Sequence, residues 1–214
     1  SMYAAGKNGF ELQTLAIALD ESQVSDWSLP DRGVLRGEAL ATFINRAVSN
    51  VGIEKFPKKF GAVATDLASG EPIVFRSGDA GMAVRASSSV PGIFQPVAIR
   101  GREYVDGGLV APVPVRFARD MGATFVIAVD ISNTPANGKT KSSFEVLMQT
   151  FAIMGQSLNR HELPQADIVI RPDISQLASA DFKTRHQAVL EGEKAAAKEM
   201  AALKSKLEQF RERR

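Results

Sequence analysis

The pentapeptide Tyr104-Val105-Asp106-Gly107-Gly108 contains the side chain that the sequence places best for chemistry. Tyr104 and Val105 predict a strand that ends at Asp106, and the two glycines can form a sharp turn that other residues resist. A carboxylate at the end of a strand in an α/β sheet is a common active-site feature, and it can accept a proton from a hydroxyl group. Asp-Gly is also a frequent turn dipeptide, so this loop alone leaves a purely structural turn open.

Two further aspartates, Asp66 and Asp130, also end predicted strands. With Asp106 they raise the hypothesis of a magnesium-dependent phosphate enzyme, because Mg²⁺ prefers carboxylate oxygens. Position 132, where a D-x-D motif starting at Asp130 would have its second carboxylate, is a serine. We therefore favour the alternative in which Asp66 and Asp130 are polar groups of strand-end loops.

Cysteine and histidine chemistry has little support in this sequence. The chain has no cysteine, which excludes a disulfide framework, a thiolate metal site and a cysteine nucleophile. His161 begins His-Glu-Leu-Pro, which lacks the second histidine of a zinc-protease helix. We interpret His161 and His186 as surface or structural residues, which argues against a Ser-His-Asp triad within this chain.

A serine nucleophile is not evident either. The sequence contains no G-x-S-x-G motif, and Gly155-Gln156-Ser157 lacks its second glycine. The run Ser87 to Ser89 precedes Pro91 and Gly92, and both flanking glycines are absent. We favour a helix end for this run over a surrogate nucleophile close to Asp106.

Helices and strands alternate along the chain, which predicts an α/β fold with a mainly parallel sheet flanked by helices. The run from Phe125 to Val129 is typical of a strand covered on both faces. Hairpins are expected at Ser69-Gly70 and Arg100-Gly101. The predicted helices are 10–20, 37–48, 79–87, 113–121, 144–162 and 181 to about 213, and the predicted strands are 60–66, 72–76, 97–99, 103–105, 124–130 and 167–171.

Composition and charge exclude several classes of protein. With 214 residues, 44% hydrophobic and 23% charged, the chain is an ordinary globular sequence of about one domain. Its longest apolar runs have five residues, far short of the roughly 20 that a membrane span needs. Residues 204–214 carry a net charge of +3, so the overall +2 reflects the C-terminal end and gives no support for nucleic-acid binding.

A longer stretch around Asp106 resembles the patatin-like phospholipases, which are serine lipid acyl hydrolases of bacteria and plants. The resemblance rests on Ala-Ser-Ser-Ser-Val-Pro-Gly-Ile-Phe-Gln-Pro-Val from Ala86, on the Asp106 loop, and on Ala-Thr-Asp-Leu from Ala64. The start Met-Tyr-Ala-Ala-Gly at Met2 is also similar to the end of the helix that follows the family's nucleophile. The resemblance extends to about Arg171 and implies a three-layer α/β/α fold.

The resemblance implies a Ser-Asp dyad in which Asp106 is the base and Gly107 and Gly108 form its loop. It also implies that Ser89, Pro91 and Phe94 line the site. The nucleophile segment and the glycine-rich oxyanion loop would lie upstream of residues like Met2 to Gly6. We therefore expect a C-terminal part of such an enzyme, lacking its N-terminal strand or strands and inactive alone. No cofactor or metal is implied.

Residues 1–180 are thus expected to form a partial catalytic domain, and 181–214 a charged helix that packs on it or on a partner. The expected ligand is a lipid or ester. The chain is further expected to form a homo-oligomer or to pair with the missing N-terminal segment, and to contact a membrane surface transiently. We also expect a soluble bacterial protein of the cytoplasm or the cell envelope. The alternative function is a non-catalytic interaction or assembly module. The helix at 144–162, with its Met and Phe side chains, is either a core helix or a contact for an acyl chain or partner.

Overall fold

The computed structural model describes residues 1–27, 32–132, 140, 142–175, 177 and 184–213, and it divides the chain into two compact units, Ser1–Val110 and Ala111–Arg214. The helices described in these ranges are α1 (Gly9–Ala18), α2 (Glu38–Ala47), α3 (Ala80–Ser87), α4 (Val115–Asp120), α5 (Ser143–Glu162) and α6 (Arg185–Glu212), and the strands are β1 (Ala62–Asp66), β2 (Pro72–Phe75), β3 (Val97–Ile99), β4 (Arg102–Asp106), β5 (Ile127–Val129) and β6 (Ile168–Ile170).

The first unit is built on an antiparallel sheet with strand order β2-β1-β4-β3. All five residues of β1 are buried, because α3 packs on this strand and α2 packs on α3. The helix α3 begins after Asp79, whose side chain accepts a hydrogen bond from the Met82 N–H. A cluster that includes Ile44, Val48 and Ile53 forms the core between these helices and the sheet.

The second unit contains the parallel pair β5-β6, in which Ile127 lies opposite Ile168. Its core joins the segment before α4 to β5 through Val113, Val115 and Val126, with Ala128 completing the cluster. The C-terminal helix α6 packs on this same unit. The rings of Phe210 and Phe125 meet edge to face at 5.7 Å, and Lys206 Nζ donates to the Asp167 carbonyl at 2.7 Å.

The predicted α/β class is confirmed, but the predicted predominance of parallel pairing is wrong for the described residues. Of the four strand pairings, only β5 with β6 is parallel. The strand β5 is also shorter than expected, and Ile127 and Val129 on it are 45% and 52% exposed rather than covered. Hydrophobic periodicity gives the buried faces of a strand but does not give the direction of its neighbour.

All six predicted helices have a counterpart in the described residues and both hairpins are present, with ends that differ from the prediction by at most two residues where both can be compared. The predicted start of the last helix at Asp181 lies outside the described residues, and α6 is described from Arg185. In the described part of the chain, no helix combines the length and the apolar character needed to cross a bilayer. The expected boundary near residue 180 stays a prediction.

A buried carboxylate at the end of α5 yields a test of stability in the second unit. The Glu162 side chain is 4% exposed and accepts hydrogen bonds from Arg116 Nη1 at 2.7 Å and from the Arg116 N–H at 3.1 Å. Arg116→Met leaves this charge without its cation, so we expect a loss of about 2–3 kcal/mol in the free energy of unfolding. Urea denaturation measures this loss.

The matched control is Lys194→Met, because Lys194 pairs with Glu191 at 2.7 Å on the outside of α6, with its side chain 60% exposed. We expect this change to cost less than about 1 kcal/mol. The double variant Arg116→Met/Glu162→Met should recover much of the stability lost on Arg116→Met. Equal losses for Arg116→Met and Lys194→Met would contradict the assignment of Glu162 as a buried, charge-compensated group.

Candidate active site

The candidate base, Asp106, is the last residue of β4 and caps a single 3₁₀ turn, Gly107–Leu109. The strand reaches this point because Tyr104 and Val105 are buried and pair with β1, where Thr65 lies opposite Val105. The predicted strand-to-turn transition at Asp106 is therefore confirmed by the backbone. The chain leaves the sheet at the residue that carries the carboxylate.

Two hydrogen bonds fix the main chain of Asp106. Its N–H donates to the Ser89 carbonyl at 2.9 Å, and its own carbonyl accepts from Thr65 Oγ1 at 2.8 Å. Thr65 and Ser89 are buried, at 5% and 0% exposure. Because both partners are held inside the first unit, the position of the Asp106 backbone is set by β1 on one side and by the residue following α3 on the other.

The turn after Asp106 passes very close to β1, and only glycine fits at its first position. A Cβ placed on Gly107 would lie 2.0 Å from the Val63 carbonyl oxygen, well inside van der Waals contact. A Cβ on Gly108 would lie 2.8 Å from Asp106 Oδ1. The two glycines therefore allow two close contacts. At Gly107 the main chain approaches the main chain of β1, and at Gly108 it approaches the Asp106 carboxylate.

The Asp106 carboxylate is partly buried, and its two oxygens have different environments. Oδ1 accepts a short hydrogen bond of 2.6 Å from the Gly108 N–H, while the described residues provide no hydrogen bond to Oδ2. Burial raises the pKa of Asp106 above its ordinary value, and the Gly108 N–H opposes this by lowering it. The result is a carboxylate that is oriented through one oxygen, has a raised pKa, and accepts no hydrogen bond from the described residues at its other oxygen.

The three residues expected to line the site differ in where the structure places them. Ser89 lies directly beside Asp106, through its carbonyl, but its Oγ donates to the Arg85 carbonyl at 2.7 Å and is fully buried. Pro91 is half-buried in the turn that follows. The Phe94 N–H closes this turn on the Val90 carbonyl at 2.9 Å. These contacts hold Ser89 in place, and site lining by Ser89, Pro91 and Phe94 stays a prediction.

The other two strand-end carboxylates, Asp66 and Asp130, accept hydrogen bonds from groups of their own loops. Asp66 accepts from the N–H groups of Ser69 and Ala68 and from Arg102 Nη1, and these interactions lower its pKa. Asp130 accepts from the Ser132 N–H at 3.1 Å. Within the described ranges, no three His, Asp or Glu side chains form a group that could hold a metal ion. The magnesium hypothesis therefore lacks the cluster of ligands that it requires there.

Both histidines are exposed, as expected from the sequence. The residue that sequence reasoning missed is Thr65, whose hydroxyl supports the Asp106 carbonyl from the neighbouring strand. One signal for it was available in the sequence. Thr65 follows the apolar stretch Ala62-Val63-Ala64 in a strand predicted to be buried, and a buried hydroxyl needs a hydrogen-bond partner.

Comparison with known proteins identifies the family. Residues 1–119, more than half of the chain, match the family model for patatin-like phospholipases. The chain belongs to the patatin-like phospholipase family. The match includes Asp106 and its glycine loop and ends before β5.

Individual relatives are similar to this chain over between about half and four fifths of its length. An uncharacterized NTE family protein of Mycobacterium bovis is 29% identical over 198 residues, which covers 81% of this chain and 34% of that protein. Another, of Mycobacterium tuberculosis, is 35% identical over 111 residues, covering 52% and 31%. Lysophospholipase NTE1 of Scheffersomyces stipitis is 30% identical over 129 residues, covering 58% and 8%. The chain thus spans about a third of the length of the mycobacterial proteins.

The close passage at Gly107 predicts a large loss of stability on adding one methyl group. For Gly107→Ala we expect the free energy of unfolding to fall by about 3 kcal/mol, because β1 and the turn must separate. Gly9→Ala is the control, since a Cβ there meets nothing within 4 Å and the residue begins an exposed helix. It should be neutral or stabilise by up to about 1 kcal/mol. Similar melting temperatures for both variants would contradict the proposed contact.

The raised pKa of Asp106 predicts a stability change with a defined pH dependence. At pH 7 the folded state holds a partly buried charge, so Asp106→Asn should raise the melting temperature while keeping the acceptor for the Gly108 N–H. As the pH falls through the raised pKa towards 3.8, the wild-type carboxyl becomes protonated and the difference should disappear. Thermal unfolding across this pH range checks it. A gain that stayed constant with pH would be inconsistent with the effect of burial on this carboxyl.

Proposed function

We propose that this chain supplies the aspartate of a Ser-Asp dyad for the hydrolysis of lipid carboxylic esters. The observation that carries the proposal is the Asp106 carboxylate, with Oδ1 held by the Gly108 N–H at 2.6 Å and Oδ2 without a hydrogen bond from the described residues. Burial raises its pKa, which suits a general base that must take a proton from a hydroxyl group. Family membership supports lipid hydrolysis as the reaction class.

In the proposed mechanism, Asp106 Oδ2 accepts the proton of a serine hydroxyl as the serine oxygen attacks the ester carbonyl carbon. The tetrahedral intermediate then expels the alcohol, which takes the proton back from Asp106, and leaves an acyl-serine. Water then attacks the acyl carbon while the same carboxylate takes its proton. The acyl–serine bond breaks, the carboxylic acid leaves, and the serine oxygen takes the proton back from Asp106. The geometry requires a hydroxyl oxygen about 2.6–3.2 Å from Oδ2 and N–H donors for the oxyanion.

The serine of this dyad comes from outside these 214 residues in our proposal. The sequence has no G-x-S-x-G motif, and Ser89, whose carbonyl accepts from the Asp106 N–H, has its hydroxyl bonded to the Arg85 carbonyl. With neither nucleophile nor oxyanion donors, the chain alone should not turn over esters. The substrate class is a phospholipid or other lipid ester, and the relative from Scheffersomyces stipitis is named a lysophospholipase.

The alternative function, a non-catalytic interaction or assembly module, is favoured by a separate feature of the second unit. Ile127 and Val129 on β5, and Ile131 two residues beyond its end, are all exposed, at 45%, 52% and 61%. An exposed apolar strand face of this kind suits pairing with another chain, including a second copy or an N-terminal segment. This alternative would be favoured if both the 214-residue chain and the full product of the gene formed stable oligomers and neither had esterase activity.

The proposed dyad predicts a clear division of activity between the chain and the full product of its gene. The 214-residue chain should neither hydrolyse a p-nitrophenyl ester above background nor be labelled by a fluorophosphonate probe. The full product should do both. Within it, Asp106→Asn should lower kcat by about 10²–10⁴-fold, because the serine then has no base.

The control for the dyad is Asp120→Asn in the same full product. Asp120 is an exposed aspartate at the end of α4, so its replacement should leave kcat unchanged. Rapid ester turnover by the 214-residue chain would overturn the need for an external serine. Full activity of Asp106→Asn in the complete protein would overturn the role of Asp106.

A further inference from the structure

Two aromatic side chains near the beginning of the first unit point into solvent instead of the core. Phe10, in the first turn of α1, is 78% exposed, more than any other large apolar side chain of the described residues, and Tyr3 is 59% exposed. None of the ten residues of α1 is buried. Single exposed apolar residues are common, but a group of them beside charged residues marks an interaction surface.

Lysines lie beside these aromatic side chains. The Lys58 N–H donates to the Ala4 carbonyl at 3.2 Å, which joins the segment before α1 to the segment around Lys58. Lys58 Nζ lies 4.6 Å from the centre of the Tyr3 ring. Two more lysines are within three residues of Lys58, and another directly precedes the cap of α1. The basic–aromatic patch, as we name it, consists of Tyr3, Lys7, Phe10, Lys55, Lys58 and Lys59.

The patch has a positive charge that its own acidic residues do not cancel. The two segments that form it, residues 1–18 and 51–60, contain four lysines and two glutamates, which gives a net charge of +2. Glu11 is paired with Lys7 at 3.5 Å, and Glu54 accepts from the Gly78 N–H at 2.8 Å. Lys58 is in no ion pair with the described residues, and its cationic group lies over an aromatic ring. A partner with complementary charge is therefore anionic.

The two ends of α1 differ in charge, which determines the end that an anionic partner meets. Asp20 and Glu21 follow the helix at its other end. Ten helical residues span about 15 Å, which is longer than the distance of about 8–10 Å over which salt screens exposed charges. These carboxylates therefore do not cancel the lysines of the patch. They favour an orientation in which the patch faces the partner and the far end of α1 points away.

A positive surface with exposed aromatic rings fits the surface of an anionic lipid bilayer. Each lysine close to such a surface is attracted by the head-group phosphates, and aromatic rings enter the layer between the head groups and the acyl chains. Single-stranded nucleic acid also combines phosphates with groups that stack on aromatic rings. The first unit as a whole has eleven basic and twelve acidic side chains, a net charge of −1, so it lacks the extended basic surface that nucleic acids require.

We propose that the basic–aromatic patch docks this protein on an anionic phospholipid surface. Lys58 and its neighbouring lysines contact head-group phosphates, and the rings of Phe10 and Tyr3 enter the interface beneath them. The preference for a lipid over a nucleic acid rests in part on the proposed function, in which the substrate is itself a lipid ester. Docking requires neither a serine nor turnover, so it is measured separately from the role of Asp106.

The test is co-sedimentation of the 214-residue chain with vesicles of phosphatidylcholine alone, or of equal parts of phosphatidylcholine and phosphatidylglycerol. We expect binding to the mixed vesicles and little to the neutral ones, with a decrease as salt is added. Lys58→Gln should lower the partition coefficient about fivefold, the effect of one surface lysine. Phe10→Ala should lower it about tenfold, because the apolar ring no longer enters the interface.

Two matched controls remove the same kinds of side chain elsewhere. Lys194→Gln removes an exposed lysine that pairs with Glu191 on α6, and Trp27→Ala removes an aromatic side chain that is 74% exposed and follows Asp26. Neither change should weaken binding to the mixed vesicles. All four substitutions replace exposed side chains, so the variants should keep the melting temperature of the wild type.

Tryptophan fluorescence locates the docked surface directly. Trp27 is the only tryptophan of the chain, so the variant Phe10→Trp/Trp27→Phe carries its single indole within the patch. Its emission should move to shorter wavelength on the mixed vesicles, while the emission of Trp27 in the wild type should not. A shift of Trp27 without a shift at position 10 would place the contact elsewhere and overturn the proposal.

Several other outcomes would also overturn it. These are no binding to the mixed vesicles, equal binding to neutral vesicles, or wild-type binding by both Lys58→Gln and Phe10→Ala. Tighter binding of a single-stranded oligonucleotide, lost in Lys58→Gln, would assign the patch to nucleic acid. Failure of the full gene product to bind would show that another part of that protein covers the patch. Hydrolysis of a soluble ester by a full product that does not bind vesicles would remove docking but keep the dyad, and vesicle binding by an inactive full product would do the reverse.

Discussion

The contact between the Gly107 main chain and the Val63 carbonyl is the constraint on which the arrangement of the candidate active site depends. It lets the 3₁₀ turn lie directly against β1, so that Asp106 remains bonded to Thr65 and Ser89 while its side chain turns back onto the Gly108 N–H. If β1 and this turn moved apart by the width of a methyl group, the carbonyl of Asp106 would lose its hydroxyl donor. The orientation of the carboxylate would then depend on Gly108 alone.

The same arrangement sets the electrostatics of the site. Burial makes the charged form of Asp106 more costly, and a single N–H donor offsets only part of that cost. Asp66 on the next strand shows the contrast, since two N–H groups and Arg102 stabilise its charge. Two aspartates on paired strands therefore have opposite pKa shifts. The one with fewer partners is the one suited to exchange protons, at some expense in stability.

The sequence was sufficient to predict local features. The hairpins at Ser69-Gly70 and Arg100-Gly101 and the strand-end position of Asp106 follow from turn residues and apolar runs a few positions apart. The antiparallel pairing of β1 with β4 joins residues about 40 positions apart, and periodicity carries no information about such pairs. For the same reason Thr65 was missed.

The hydrogen bonds that hold Asp106 differ in whether they depend on the identity of a particular side chain. The Ser89 carbonyl and the Gly108 N–H are main-chain groups, so any residue that keeps the same backbone path supplies them. Only the bond from Thr65 Oγ1 needs a particular side chain. The sequence around the carboxylate can therefore drift considerably while its position is retained, provided that Gly107 stays a glycine. Side chains near the carboxylate can therefore change without rebuilding the turn that holds it.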